Sequence, residues 1–260
     1  MPSTEPFDAN ASAFSDYQRS PWGRLLHDVA AANVQRHLDG QPLRVLDAGG
    51  GNGVDAILFA GAGHAVTVLE PSVELLGQAR AIAGAAGVSA RMEFHQAEIA
   101  DIPRLFAVAQ FDLVLCHNVL QYVDDMAAAL GAICPALVPG GLLSAICVNR
   151  YSEAYREVLQ QHNPSAALEK LDTIAVFSGV FKTDVRAYTA EEVSQALGEL
   201  GCVLLAQYGV RCVYDYIPNE LKNEPTFLVE LERLEHALSG RYPYYLLARF
   251  FQLIVRKAAD

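Results

Sequence analysis

The feature that most restricts this chain is a short apolar run that breaks into glycine, LRVLDAGGGNG at residues 43–53. Glycines at 49, 51 and 53 let the main chain turn sharply and approach a ligand where a Cβ would block it. The run before them has the length of a buried strand, and VDAILFAGAG after them reads as a helix. A strand that enters a helix through such a turn opens a βαβ unit.

The same alternation continues downstream. HAVTVLE reads as a second strand, and SVELLGQARAIAGAAG as a helix with Leu75, Leu76, Ala79, Ile82 and Ala86 on one stripe. A third strand is expected around Arg91–His95, a fourth at FDLVLCHN and a fifth at GLLSAICVN, with an alanine-rich helix (Met126 to Leu137) before the fifth. Right-handed crossovers then put the ligand crevice at the carboxyl ends of the strands. Upstream, PWGRLLHDVAAANVQRHL has helical periodicity, a Pro start and a Gly stop, while Met1 to about Ser12 reads as poorly ordered. After Arg150 the pattern changes, and Tyr151 to about Tyr188 reads as helical or irregular, without a clear strand. Thr189 followed by Glu192 is a capping box opening a helix. CVLLAQYGVRCVYDY and FFQLIVRK read as a final antiparallel pair flanking the helix TFLVELERLEHAL. The expectation is one α/β domain with a Rossmann-like, mostly parallel sheet, an antiparallel last strand and helices on both faces. It divides into an N-terminal helical segment (1–40), a cofactor-binding core (41–150), a helical cap insertion (151–188) and the C-terminal part of the sheet (189–260).

A formal net charge of −11 gives no long-range attraction for nucleic acid or anionic lipid. The five cysteines form no CxxC pair and sit mostly in apolar runs, as reduced and buried side chains of a cytoplasmic protein do. No apolar stretch is long enough to span a bilayer, the N-terminus lacks the apolar core of a signal peptide, and no metal site is expected.

The loop Asp47-Ala-Gly49-Gly50-Gly51-Asn-Gly53 departs from the dinucleotide fingerprint, which wants Gly where this chain has Val54. Its D-x-G-x-G-x-G spacing is the form expected of S-adenosylmethionine (SAM) sites. Glu70, followed by Pro71, ends the second strand, where an acid accepts hydrogen bonds from both ribose hydroxyls. Glu98 and Ile99 suit an adenine, a polar group toward the exocyclic amine and an apolar side chain on the ring; Asp101 competes for the polar role. His117 ends the fourth strand facing the crevice, and LVPGG at 137–141 reads as a turn before the fifth strand.

RVLDAGGGNG, HNVLQYV, PGGLLS, GVRCVYDYIP and the terminal YPYYLLARFFQLIVRK together resemble the tRNA wobble 5-carboxymethoxyuridine methyltransferase family, over nearly the whole chain. The resemblance implies a class I methyltransferase sheet, SAM as cofactor with S-adenosylhomocysteine as product, cofactor contacts at Gly49, Gly50, Glu70, Glu98 and His117, and esterification of a uridine-linked carboxylate. Where that family carries an arginine in the N-terminal helix this chain has Leu26, and its insertion segment FSGVFKTDVRAY holds only Lys182 and Arg186 in place of a lysine-rich stretch. With the acidity, these departures put a small-molecule acceptor ahead of tRNA. The reaction expected is in-line displacement at the sulfonium methyl by an oxygen or nitrogen of the acceptor. His117 is the one candidate base, and Tyr17 and Arg211 are the candidate substrate contacts, since a guanidinium pairs well with a carboxylate. A tRNA carboxyl methyltransferase and a SAM-binding module without catalysis are the alternatives.

Overall fold

The computed structural model describes residues 4–259. The N-terminal stretch expected to be poorly ordered is folded from Glu5 onward, as α1 (Glu5–Ala9) and α2 (Ala11–Arg19); residues 1–3 of that expectation lie outside the described residues. Tertiary contacts hold these helices where local propensity is weak. Phe7 and Phe14 meet Phe181 with ring centres 4.8 and 5.0 Å apart, and Asp8 accepts a hydrogen bond from Ser72 Oγ at 2.5 Å. Helix α3 (Pro21–Gln35) follows, its first turn closed by Ser20 Oγ, which accepts from the Gly23 amide.

The expected alternation then appears. β1 (Arg44–Ala48) leads through the glycine loop into α4 (Val54–Gly61), β2 (Ala65–Leu69) into α5 (Val73–Ala85), and β3 (Met92–His95) into the short α6 (Ile102–Leu105). β4 (Phe111–His117), α7 (Met126–Ile133) and the long β5 (Leu137–Val148) complete the core. The Pro139-Gly140-Gly141 segment lies inside β5 rather than before it; Gly140 takes φ +79°, and the β4–β5 register shifts between Phe111 and Leu113.

Beyond β5 come α8 (Tyr151–Gln161) and α9 (Pro164–Glu169), then two strands where none was expected, β6 (Ala175–Ser178) and β7 (Thr183–Arg186). They pair antiparallel as a separate hairpin, so the cap is helical only in its first half. Each run is only four residues long, too short to show a period. Helix α10 (Ala190–Glu199) opens on the expected capping box of Thr189 and Glu192. The chain ends with β8 (Cys202–Val210), α11 (Asn219–Lys222), α12 (Pro225–Leu238) and β9 (Phe250–Lys257).

Seven of the described strands form one sheet in the order β3-β2-β1-β4-β5-β9-β8, and β9 alone runs antiparallel to its neighbours. Alternate residues of β1 serve opposite faces. Leu46 joins Leu130 and Ile133 of α7 and Val193 and Leu197 of α10, while Val45 joins Ala56 and Phe59 of α4 and Leu76 of α5. Burial on both faces explains why these strands are apolar throughout.

At Gly209 of β8 a Cβ would lie 2.7 Å from Ala248 Cβ, 2.8 Å from Cys212 Sγ and 2.8 Å from Tyr245 Cα. Gly209→Ala is therefore expected to destabilise the fold by about 1–3 kcal/mol through overpacking in chemical denaturation; parental stability would contradict this packing.

Candidate functional site

A crevice of about 700 Å³ opens at the carboxyl ends of the strands. All of the candidate residues line it: Asp47, Gly49, Gly50, Gly51, Glu70, Pro71, Glu98, Ile99 and His117 on the cofactor side, Tyr17 and Arg211 on the other. Asp101 does not. Its carboxylate accepts from the Glu98 amide at 3.2 Å and pairs with Arg104, while the Glu98 carboxylate accepts in return from the Asp101 amide, so both close the turn and Glu98 also lines the crevice.

The glycine loop is held from beneath. The amides of Gly49 and Gly50 donate to the Leu69 carbonyl at 2.7 and 3.1 Å, and Gly49, Gly51 and Gly53 have φ of +77°, +55° and +77°. At Gly50 a Cβ would come within 2.7 Å of Asp47 Oδ2, so the loop keeps a cradle that any side chain would fill. Glu70 is buried and accepts from the amides of Gly51 (2.8 Å) and Ser72 (2.9 Å), which fixes its carboxylate at the β2 end. Burial pushes its pKa up to about 7 against those two hydrogen bonds. Asp47 is raised well above the carboxylate range, by burial first and then by the charges of Asp55 and Glu70.

Three buried acceptors on the crevice wall have no partner among the described residues: Asp47 Oδ2, Asn118 Oδ1 and Gln121 Oε1. Asn118 adopts φ +57°, an unusual backbone state for a non-glycine residue and one enriched near functional sites. Unpaired acceptors and acids on one wall fit a ligand with ammonium, sulfonium and hydroxyl groups, which is the donor side of SAM. The residues present therefore suit that cofactor.

Beneath the loop lies a buried hub. Asp55, in the first turn of α4, meets His27 Nδ1 through Oδ1 and His117 Nδ1 through Oδ2, both at 2.7 Å. Burial alone would raise the Asp55 pKa, but the two imidazoles hold it well below the usual range. Burial likewise would lower His27, yet Asp55 holds it above its ordinary value, and its second nitrogen faces Gln18 Oε1 on α2. His117 Nε2 is 2.7 Å from Ser144 Oγ, which accepts from Gln252 Nε2 at 2.9 Å, and Gln252 Oε1 in turn accepts from Asn33 at 2.8 Å. Both nitrogens of His117 are thus engaged, with its side chain only 5% exposed. That corrects the expectation of His117 as a base: the ring has no free nitrogen with which to take a proton from an acceptor.

The far wall is cationic. Arg211, at φ +60° just past β8, donates from Nη1 to Tyr17 Oη at 2.8 Å and pairs with Asp215. Arg249, just before β9, pairs with Glu153, and Arg156 on α8 lies 3.4 Å from the same carboxylate. Among the described residues this cluster sets three guanidiniums against two carboxylates and leaves Nε of Arg156 and Arg211 without acceptors. Glu235 of α12 sets the turn, its carboxylate accepting from the amides of Cys212, Val213 and Tyr214 at 2.6, 2.8 and 2.6 Å. Sequence reasoning missed Arg156, Arg249, Asp55 and Glu235. The available signals were GVRCVYDYIP, where Arg211 and Asp215 stand four apart, and the terminal YPYYLLARFFQLIVRK, which holds Arg249. Among the described residues no group of three or more His, Cys, Asp or Glu is placed to hold a metal, and no helix is long and apolar enough to cross a membrane.

Comparison with known proteins matches this architecture. A family model described as a methyltransferase domain matches residues 40–179. The tRNA 5-carboxymethoxyuridine methyltransferase of Escherichia coli (strain K12) is 31% identical over 264 aligned positions, covering 96% of this chain and 95% of that protein. A SAM-dependent methyltransferase of Thermotoga maritima, described as a possible histamine N-methyltransferase, superposes with a TM-score of 0.66 at 16% identity over 97% of this chain and 98% of its own. The Burkholderia thailandensis 1,6-didemethyltoxoflavin-N1-methyltransferase, solved with S-adenosylhomocysteine, gives 0.58 at 19% identity over 99% and 92%.

The Glu70 arrangement makes a pH prediction. With a folded pKa raised to about 7, the acid keeps its proton in the free fold after an unfolded chain would have released it, so its contribution to stability declines as pH rises from about 4.5 to 7. If Glu70 takes the ribose hydroxyls it must do so as the carboxylate, and SAM affinity should then run the other way and rise about tenfold between pH 6 and 8, given one decade of ionisation per pH unit below the pKa. Calorimetric titration of S-adenosylhomocysteine across that range checks it. Glu70→Gln should flatten the profile, and a pH-independent parent would contradict the assignment.

Proposed function

The chain belongs to the SAM-dependent methyltransferases, in the family of the tRNA 5-carboxymethoxyuridine methyltransferase, and on that premise we propose that it methylates a carboxylate oxygen of a small-molecule acceptor. The observation that carries this reading is the surplus positive charge of Arg156, Arg211 and Arg249 at the end of the crevice away from the cofactor wall. An anionic acceptor would complete the charge balance there, and a guanidinium is shaped to hold a carboxylate by two parallel hydrogen bonds.

SAM, when bound, supplies an electrophilic methyl on a sulfonium. The chain's own part is placement. Arg211, steadied by Tyr17 and Asp215, holds the acceptor carboxylate; the Phe7, Phe14, Tyr122 and Phe181 rings close the cofactor side from water. A carboxylate is already ionised at neutral pH and needs no base, which agrees with a site whose histidine has both nitrogens occupied. A phenol or amine acceptor would want a proton acceptor that the crevice does not offer at His117.

A second reading of the acceptor is a carboxylate carried by a modified uridine of tRNA. Similarity to the tRNA enzyme along 96% of the chain favours it, whereas the acidity and the paucity of lysines in the cap favour the small molecule.

The test is incubation with methyl-labelled SAM and, separately, a small-metabolite extract or total bacterial tRNA. Label in small molecules that mild alkali removes is the expected result. Alkali-labile label in tRNA would transfer the proposal to the second reading, and alkali-stable label in either would overturn carboxyl methylation. With the acceptor in hand, Arg211→Lys should raise its KM about 10- to 100-fold by losing a charged, bidentate hydrogen bond, while SAM affinity stays within about twofold. An unchanged KM would remove Arg211 from acceptor binding.

A further inference from the structure

Away from the crevice, Cys134 and Cys202 face each other inside the core with their sulfurs 3.8 Å apart. Cys134 follows the end of α7, and Cys202 is the first residue of β8, the strand at one edge of the sheet. They are 68 positions apart in sequence, so only the tertiary fold brings them together. A disulfide needs sulfurs about 2.05 Å apart, so the pair at 3.8 Å must close the remaining gap to form one. The two thiols are also unequal. The contact with Cys134, opposed by burial and helped by the charge of Lys257 across the ladder, brings Cys202 down to about 7, while the same contact and burial push Cys134 up. The Lys257 ammonium is fixed beside the pair by the Leu137 carbonyl at 2.7 Å. Cys116 and Cys147 are fully buried on inner strands, where burial pushes their thiols up.

We propose that Cys134 and Cys202 are a redox modification site, closing to a reversible disulfide when the protein meets a hydroperoxide. The Cys202 thiolate attacks the peroxide and breaks the O–O bond; its sulfur becomes a sulfenic acid, and the departing oxygen takes a proton and leaves as water or an alcohol. Cys134 sulfur then attacks the sulfenic sulfur, loses its proton and expels the second oxygen as water. Each sulfur gives up one electron, and the peroxide takes both. The bond staples the edge strand to α7 across a loop that contains the whole cap, so it constrains the unfolded chain strongly.

Reduced full-length protein is treated with stoichiometric hydrogen peroxide, remaining thiols are capped with N-ethylmaleimide, and the chain is weighed intact and mapped without reduction. The expected result is a loss of two hydrogens, a Cys134–Cys202 cross-linked peptide, a higher melting temperature than the reduced form, and reversal of all three by dithiothreitol. Cys134→Ala should abolish the cross-link and let Cys202 gain oxygen instead. Three results overturn the proposal: a parent in which Cys134 is still capped after Cys202 has gained oxygen, a parent inert to peroxide at both positions, or a cross-link that involves another cysteine. All three are read on the parent, so they hold even if the variant fails to fold.

Discussion

The crevice depends on one buried anion. Asp55 sits under the glycine loop and gives one oxygen to His27 of α3 and the other to His117 at the end of β4. A carboxylate in that position is costly unless both oxygens are matched, and here each has an imidazole at 2.7 Å. Through His27 the hub reaches Gln18 of α2, and through His117 it reaches Ser144 of β5, Gln252 of β9 and Asn33 of α3. The helices over the crevice, the loop that cradles the cofactor and the middle strands of the sheet are thereby fixed to one another by a single connected polar network. Networks of this kind hold together or fail as a unit, because any member left unpaired bears a desolvation cost.

On that frame the strand order distributes charge. Glu98 and Glu70 follow β3 and β2 and Asp47 lies near the end of β1, on one half of the sheet; Arg249 and Arg211 flank β9 and β8 at the same rim, on the other. The antiparallel course of β9 matters here, because it puts the start of that strand, with Arg249, at the same rim as the ends of the parallel strands. The cavity thus has an acidic end and a cationic end, with Asn118 and the β4 end between them. The net charge of −11 says nothing of this local polarity, since it sums over the whole chain.

How much was legible follows from how local each feature is. One wall is written in contiguous strand–turn–acid segments, so spacing alone picked out Asp47, the glycines, Glu70 and the Glu98–Ile99 pair, all of which line the crevice. The cationic wall is not contiguous. Arg156 comes from α8, in no pattern that marks it, and Arg249 from just before β9, inside the terminal YPYYLLARFFQLIVRK but at no spacing that marks its role. His117 was correctly placed at a strand end, yet its role was misread, because Asp55 and Ser144 reach it only through tertiary packing. The folded N-terminus was missed for a related reason: Phe7 and Phe14 find their partners in Tyr122 and Phe181, more than a hundred residues away.

Replacing Asp55 by Asn tests the central claim most directly, with denaturant stability and S-adenosylhomocysteine affinity measured on the same preparation. The amide keeps the size of the side chain and removes the charge that binds the two imidazoles. If Asp55 organises the crevice, stability falls by about 3–5 kcal/mol, the cost of breaking a buried ion pair, and cofactor affinity falls with it. A variant with parental stability and parental affinity would show that the crevice stands without its buried anion and would contradict the account.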